Sequence, residues 1–430
     1  MVRKFIISLF LALVATLILD TISIKNSVDM RNGPGSYYKL LLRLKPGAEV
    51  DQLDQQQQWI KVKAQEQTGW IPERSVHHQE QNKESKPDDD LQSNAQNAFD
   101  ELSGGDKADT ADDPYASRAQ VAAAVKGFAK DFTSQKGSSQ EENLLQNFDG
   151  LVNASDYKQF REQRLHNWSW AKAQSRFSID PNKAPKFNPL REKAGWGIAN
   201  VIAQQGLIKN DDLQQYLTHI ALIIAENSHR YETSVQVYIL DSEDVTGYAS
   251  PNGIIFVSKG ALKLMKNEAE FAFFVAHELA HIVFNHGVKE SKKRETKIKA
   301  DEAFEELNQE IDKERNEKYI KTEAELTEWA NQVYEYTVKD RLNKYEHEAD
   351  YWGLVYTYRA GYDATAALDL LTRIYKRQGD FERGIGLVKW QGTSLQKRIS
   401  KIRNHIADFD IPRGFGSRHP EFFTRKIQEL

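Results

Sequence analysis

The chain has 430 residues, enough for two or three domains and at least one large core. Its 58 basic and 62 acidic side chains leave a net charge of −4, which gives no electrostatic case for a nucleic-acid partner. It contains no cysteine, so disulfides, thiolate metal sites and thiol nucleophiles are excluded together, leaving His, Asp and Glu as metal ligands.

In chain order, Arg3 and Lys4 precede an apolar run from Phe5 to Leu19. Two positive charges before a run of that length predict a secretory signal; it is shorter than the ~20 residues of a spanning helix. Thr21-Ile22-Ser23 is a poor cleavage site, so residues 1–23 are read as a signal peptide or an uncleaved signal anchor. No later segment is apolar for long enough to span a bilayer, and the body of the protein is expected to be exported, to the periplasm or cell envelope.

From residue 24 to 78, short apolar runs alternate with turns at Asn32-Gly33-Pro34-Gly35 and Lys45-Pro46-Gly47. Leu40–Leu44, Trp59–Val62 and Gly69–Ile71 are predicted strands, with Trp59 and Trp70 as core residues of a small barrel. The Val28–Gly35 stretch and the two tryptophan-bearing strands resemble the bacterial SH3-like domain. That resemblance implies a small all-β barrel and a cell-wall or envelope partner. Residues 79–118 are acidic and poor in large apolar side chains, as expected of a disordered linker.

Residues 119–210 form a helical pre-domain, in which Val121, Val125, Phe128 and Phe132 recur at helical spacing. A second amphipathic helix spans Asp212 to Glu226, with His219 on it as a packing residue. Val235–Leu240 and Gly253-Ile254-Ile255-Phe256-Val257 read as strands. The helix that follows carries His277-Glu278-Leu279-Ala280-His281, and no Pro or Gly interrupts Glu268 to His286. Histidines four apart stack on one helix face and can share a zinc ion, while the glutamate beside the first can act as general base on a water there.

Beyond it, residues 288–345 are highly charged, with narrow apolar seams that suit an antiparallel helical hairpin. Glu346-His347-Glu348-Ala349-Asp350 then offers a third ligand. On a helix Glu346, Ala349, Asp350 and Gly353 share one stripe and Glu348 points nearly opposite. The small side chains of Ala349 and Gly353 allow close approach to the stripe of His277, Ala280 and His281. Glu346 is therefore the expected ligand, Asp350 the partner of a ligating imidazole, and His347 the alternative ligand.

Several motifs in order over residues 211–430 resemble the HtpX/CAAX-prenyl-protease/Oma-type zinc metallopeptidases. They are the strand beginning Pro251-Asn252-Gly253, the HExxH, Glu346-xx-Ala349-Asp350, Ala360-Gly361-Tyr362-Asp363, and Ser417-Arg418-His419-Pro420 with Arg425. The family's "NAF" stands here as Thr246-Gly247-Tyr248, and the arginine usual before the third ligand is Asn343. The resemblance implies an α+β zincin-type domain with one zinc ion per chain. It also implies a polypeptide substrate drawn from unfolded or misassembled envelope proteins. The substrate is expected to add to the Gly253–Val257 strand as an edge. His419, in a loop with Gly414 and Gly416, is expected either to start the final helix or to fold over the metal as an oxyanion donor or plug. The alternative to an enzyme is a non-catalytic envelope scaffold tethered by its SH3-like domain. An intact Glu278 has no purpose in such a scaffold.

Overall fold

A computed structural model describes residues 21–77, 152–165, 176–184, 206–286, 343–381 and 395–430, with isolated positions between 173 and 203. Residues 1–20 of the expected signal or anchor segment, all of the expected linker 79–118, the predicted helix around Val121–Phe132 and residues 288–342 of the predicted hairpin lie outside the described residues, whereas residues 21–23, read with the signal segment, stand in a strand.

Seven strands form the N-terminal unit: β1 (Thr21–Ile24), β2 (Val28–Arg31), β3 (Leu40–Leu44), β4 (Glu49–Gln56), β5 (Trp59–Ala64), β6 (Gln67–Pro72) and β7 (Val76–His77). They pair antiparallel in the order β3-β2-β6-β5-β4-β1-β7. Alternate residues point inward, so Ile24, Met30, Ile60, Val62 and Ile71 build a separate core. Irregularities in register at Met30/Arg31 and Gln52/Asp54 help the sheet to curl.

This barrel is docked on the rest of the chain. Arg74 donates to the His229 carbonyl at 2.9 Å, and Arg31 donates to Ser234 Oγ at 3.0 Å. Ser234 Oγ in turn donates to the Ser36 carbonyl, and the Tyr231 hydroxyl to the Gln58 carbonyl, both at 2.9 Å. Trp59 is buried beneath Tyr231, ring centroids 5.8 Å apart, so it serves this interface rather than the barrel core. Trp70 is half-buried, with the Lys61 ammonium over its ring.

The C-terminal unit is mixed α and β. After α1 (Ala154–Leu165) come α2 (Asp211–Glu226), β8 (Gln236–Leu240), β9 (Gly247–Ala249), β10 (Ile254–Ser258), α3 (Lys259–Leu264) and α4 (Glu268–Val283). Then follow α5 (Asn343–Arg359), α6 (Ala366–Phe381), α7 (Leu395–Asp408) and α8 (Pro420–Ile427). The three strands are ordered β8-β10-β9, β10 running parallel to β8 and antiparallel to β9. The expected substrate strand is thus the central one. Both its edges are already hydrogen-bonded, so Gly253–Val257 cannot accept an added strand. The edge beside α4 is β9, where Gly247 lets the backbone lie on the Phe274 ring: a Cβ there would come within 2.2 Å of it.

Helix α4 is buried along its whole length. Asn267 caps it by accepting from the Glu270 amide at 3.0 Å, and Glu270 reaches back to the Lys266 amide at 2.9 Å. Glu270 is also held by a two-pronged contact from Arg373 on α6 (2.7 and 3.1 Å). At the same end, buried Glu268 takes both oxygens to Arg164 of α1 (3.0 Å each) and one to the Tyr216 hydroxyl (2.7 Å). These contacts fix the start of α4 and so the height at which its histidines stand. Among the described residues no helix is long and apolar enough to cross a membrane.

Candidate metal centre

Helices α4 and α5 pack tightly because Gly353 faces α4. A Cβ there would lie 3.1 Å from the Phe273 ring and 3.3 Å from the His277 backbone nitrogen. Ala349, fully buried, lies on the same stripe. This close approach brings Glu346 onto the two histidines. His277 Nε2 and His281 Nε2 are 3.2 Å apart, and the Glu346 carboxylate oxygens lie 3.5 and 3.4 Å from them. All three side chains are buried.

These separations decide whether a metal fits. Four donors placed tetrahedrally about a zinc ion, with arms of about 2.0–2.1 Å, stand roughly 3.3–3.4 Å from one another. The edge between the imidazoles, and the distance from each imidazole to its nearer Glu346 oxygen (Oε2 for His277, Oε1 for His281), come close to that figure, and three protein donors are the number that leaves a catalytic zinc one further position. The donor atoms are also the right ones, because the other nitrogen of each ring is engaged. His277 Nδ1 donates to Asp350 at 3.0 Å. His281 Nδ1 meets His286 Nδ1 at 3.0 Å, and His286 Nε2 meets Glu348 at 3.2 Å. With His281 donating to His286, and His286 to Glu348, every proton in this chain is placed and both Nε2 lone pairs face the common point.

Behind the ligands stands Arg398 of α7, almost wholly buried. It grips Asp350 with two nitrogens (2.8 and 2.6 Å) and Glu346 with the third (2.8 Å). Burial alone would raise the Glu346 pKa, but the Arg398 charge and the two imidazoles hold it well below the usual carboxylate range. The same balance, burial against Arg398 and His277, lowers Asp350. Burial would lower His277, yet its bonds to Asp350 and Glu346 raise it. A buried carboxylate kept ionised beside imidazoles is suited to a cation. Glu278, 1 % exposed, adjoins His277 on the helix.

The structure thus brings His277, His281, Glu346 and Asp350 together, with Glu278 buried next to His277 along the helix, and the metal-ligating group does not include His347. Two expectations need correction. Glu348 is not idle, since it ends the chain of contacts from His281. His286 can make that contact because α4 ends at Val283, ahead of the expected His286, and Asn285 departs from helical geometry with a left-handed φ of 54°.

Of the two expectations for His419, the start of the final helix holds and the fold over the metal is the second correction. The Arg418 carbonyl accepts from the Glu268 amide at 2.8 Å, which sets His419 at the start of α4. His277 lies nine positions further on, roughly 13 Å along the axis at 1.5 Å per residue. The loop cannot swing to the metal ligands. Arg418 is clamped to Asp363 (2.6 Å) and Asp369 (2.8 Å), and the Gly414 amide donates to Asp363 at 3.1 Å. His419 instead precedes Pro420 at the start of α8, its backbone left-handed with φ 44°.

Comparison with known proteins bears on the same residues. The family model described as peptidase family M48 matches residues 208–430, and that of the bacterial SH3 domain matches residues 25–77. The chain is similar to the mitochondrial metalloendopeptidase OMA1 of Schizosaccharomyces pombe, 23% identical over 203 residues, covering 46% of this chain and 54% of that one. It is also similar to metalloendopeptidase OMA1 of Bos taurus, 31% identical over 55 residues, 13% of this chain and 10% of the relative. The chain spans about half, or less, of the length of these relatives.

Proposed function

The chain belongs to peptidase family M48, and from that premise we propose that it is a zinc-dependent metalloendopeptidase, its zinc held by His277, His281 and Glu346. The observation that carries this reading is the buried cluster of two imidazoles and one carboxylate, in which the imidazole nitrogens and their nearer carboxylate oxygens stand 3.2–3.5 Å apart. When bound there, zinc supplies a Lewis acid that polarises a peptide carbonyl and acidifies the attacking water.

The protein's own residues do the rest. Glu278 takes the proton of the water as it attacks the carbonyl carbon, then delivers that proton to the departing amine. Asp350 and His286 hold the two imidazoles in the tautomers that leave Nε2 free. Arg398 keeps Glu346 and Asp350 ionised and oriented. The surrounding side chains exclude bulk water, which strengthens these electrostatic effects. The strand β9 is the edge at which an extended polypeptide adds, bound through its main chain. Binding of that kind suits unfolded chains.

The finer reading is of an exported enzyme acting on unfolded or misassembled envelope proteins. Its supports are the bacterial SH3 match, the charged and apolar N-terminal run and the relatives' endopeptidase names. Any membrane attachment would be through the N-terminal segment. The test is Glu278→Gln: zinc content stays at one ion per chain, while hydrolysis of an unfolded protein such as β-casein falls by several orders of magnitude. Near-normal hydrolysis by that variant contradicts the mechanism.

A further inference from the structure

A cavity of about 190 Å³ lies where the barrel meets the peptidase unit, and none of the metal ligands lines it. One wall is the turn between β2 and β3, from Arg31 to Lys39. The other is built by Ala154 of α1, Leu222 of α2 and Val235 just ahead of β8. Asn32 and Lys39, both exposed, open it to solvent, whereas Arg31 and Ser36 are buried. The space is far larger than a single-water void and smaller than the ~300 Å³ at which pockets for drug-sized ligands begin. It suits a molecule the size of an amino acid or dipeptide.

The polar groups around it are not equally engaged. Arg31 holds the two walls together: it donates to the Tyr38 carbonyl at 2.8 Å and to Ser234 Oγ at 3.0 Å, with Asp29 3.4 Å away. Ser36 differs. Its carbonyl accepts from Ser234, but its hydroxyl, on a residue 2 % exposed, has no hydrogen-bond partner. A buried hydroxyl left unpaired is costly, and a bound molecule that accepts its proton relieves that cost. Two cations, Arg31 and Lys39, line the cavity and no carboxylate does. Across from them the surface is aliphatic, Leu222 and Val235 buried and Ala154 partly so. An anionic head at Ser36 and Lys39 with a small aliphatic body against α1 and α2 matches both walls.

We propose that this cavity binds a free amino acid or dipeptide with aliphatic side chains through its carboxylate, and that the bound molecule fastens the barrel to the peptidase unit. A ligand that touches both units stabilises their docked arrangement by mass action. Hydrolysis of polypeptides creates new carboxylates of this class, so the site senses product; that source of the ligand rests on the peptidase reading above, and the binding does not.

The experiment uses the zinc-loaded full chain carrying Glu278→Gln, which leaves a peptide uncut. Calorimetric titration compares L-alanyl-L-valine, its carboxamide, N-acetylglucosamine and inorganic phosphate. The free acid is expected to bind at least ~10-fold tighter than the carboxamide, since a hydrogen bond to a charged group is lost on amidation. Ser36→Ala gives up no hydrogen bond within the protein, so it should fold as the parent and bind the dipeptide about 5- to 10-fold more weakly. Lys39→Met should weaken it about two- to fivefold, and Ala154→Phe, at a partly exposed position, should block the cavity. Amide exchange in residues 228–235 should slow on adding the dipeptide. Absence of binding at millimolar dipeptide, equal binding of acid and carboxamide, or binding indifferent to Ala154→Phe overturns the site. Tighter binding of the sugar or of phosphate overturns the class of ligand, and unchanged exchange overturns the fastening role. Binding as expected in a chain whose wild type cuts no casein keeps the site and removes hydrolysis as the ligand's source. Cleavage of casein by a chain that binds no dipeptide removes the site and leaves the peptidase reading intact.

Discussion

Replacing Arg398 with methionine tests how the centre is held before metal arrives. The guanidinium makes contacts of 2.6–2.8 Å with two carboxylates, and all three side chains are at most 5 % exposed. Methionine keeps most of the volume and removes the charge, leaving Glu346 and Asp350 facing each other without their cation. Breaking a buried ion pair from one side costs about 3–5 kcal/mol. For a domain of this size each kcal/mol moves the melting temperature by about 2–4 °C, so the metal-free variant should melt about 10 °C below the metal-free wild type. Zinc offers the same carboxylates a replacement cation. Saturation with zinc should therefore recover more than half of the loss, and the zinc-induced rise in Tm should be larger in the variant than in the wild type. Calorimetry of both proteins, with and without zinc, gives all four numbers. Equal losses with and without zinc, or no loss in the metal-free protein, would refute the idea that Arg398 neutralises the ligand carboxylate.

His286→Ala should weaken zinc binding about 10- to 100-fold by freeing the His281 ring, whereas Glu348→Ala, at the half-exposed end of that chain, should cost less than about threefold; competition with a chromogenic chelator measures both. Gly353→Val should push α5 off α4 and abolish stoichiometric zinc binding while the barrel stays folded, read by metal analysis and circular dichroism. Stability should fall in acid. Burial lowers the His219 pKa to about 4, and burial with Arg359 and Arg74 nearby lowers His229 to about 4. Both are neutral in the fold, so their contribution is complete above the unfolded value near 6.5 and is lost as pH falls from there through 4. Each accounts for at most about 3 kcal/mol, and His219→Leu should flatten the fall in Tm between pH 6.5 and 4. Arg74→Ala should loosen the docked barrel and raise amide exchange in residues 228–234 without unfolding either unit.

Much of the centre was legible because helical periodicity carries it. His277 and His281 four apart, and the stripe of Glu346, Ala349, Asp350 and Gly353, specify both the donors and the close packing that joins them. The strand itself was read correctly, but its assignment as the edge failed for a reason visible in the residues. Ile254-Ile255-Phe256-Val257 is a continuous apolar run, the pattern of a strand covered on both faces, and such strands are central. The actual edge, Gly247-Tyr248-Ala249, is too short to show a pattern. Arg398 left one signal, a cation on the apolar stripe of Leu395, Ile399 and Ile402, far along the chain from the carboxylates it meets. His286 was hidden by reading α4 as unbroken from Glu268 to His286, when the helix ends at Val283 and Asn285 is left-handed. The oxyanion or plug role of His419 fell, and its place at the start of the final helix held, because Arg418 ties its loop down through Asp363, a contact that no spacing reveals. Docking of the barrel was equally invisible, being built from isolated bonds such as Arg74 to the His229 carbonyl.

The most direct measurement is zinc K-edge X-ray absorption on the protein reconstituted with one equivalent of zinc. Two imidazoles and one carboxylate at about 2.0–2.2 Å, with a fourth light-atom ligand that exchanges with solvent, are expected, and Glu346→Ala should remove the carboxylate together with tight binding. A shell of three or more imidazoles, or a spectrum unchanged in Glu346→Ala, would contradict a zinc held by His277, His281 and Glu346.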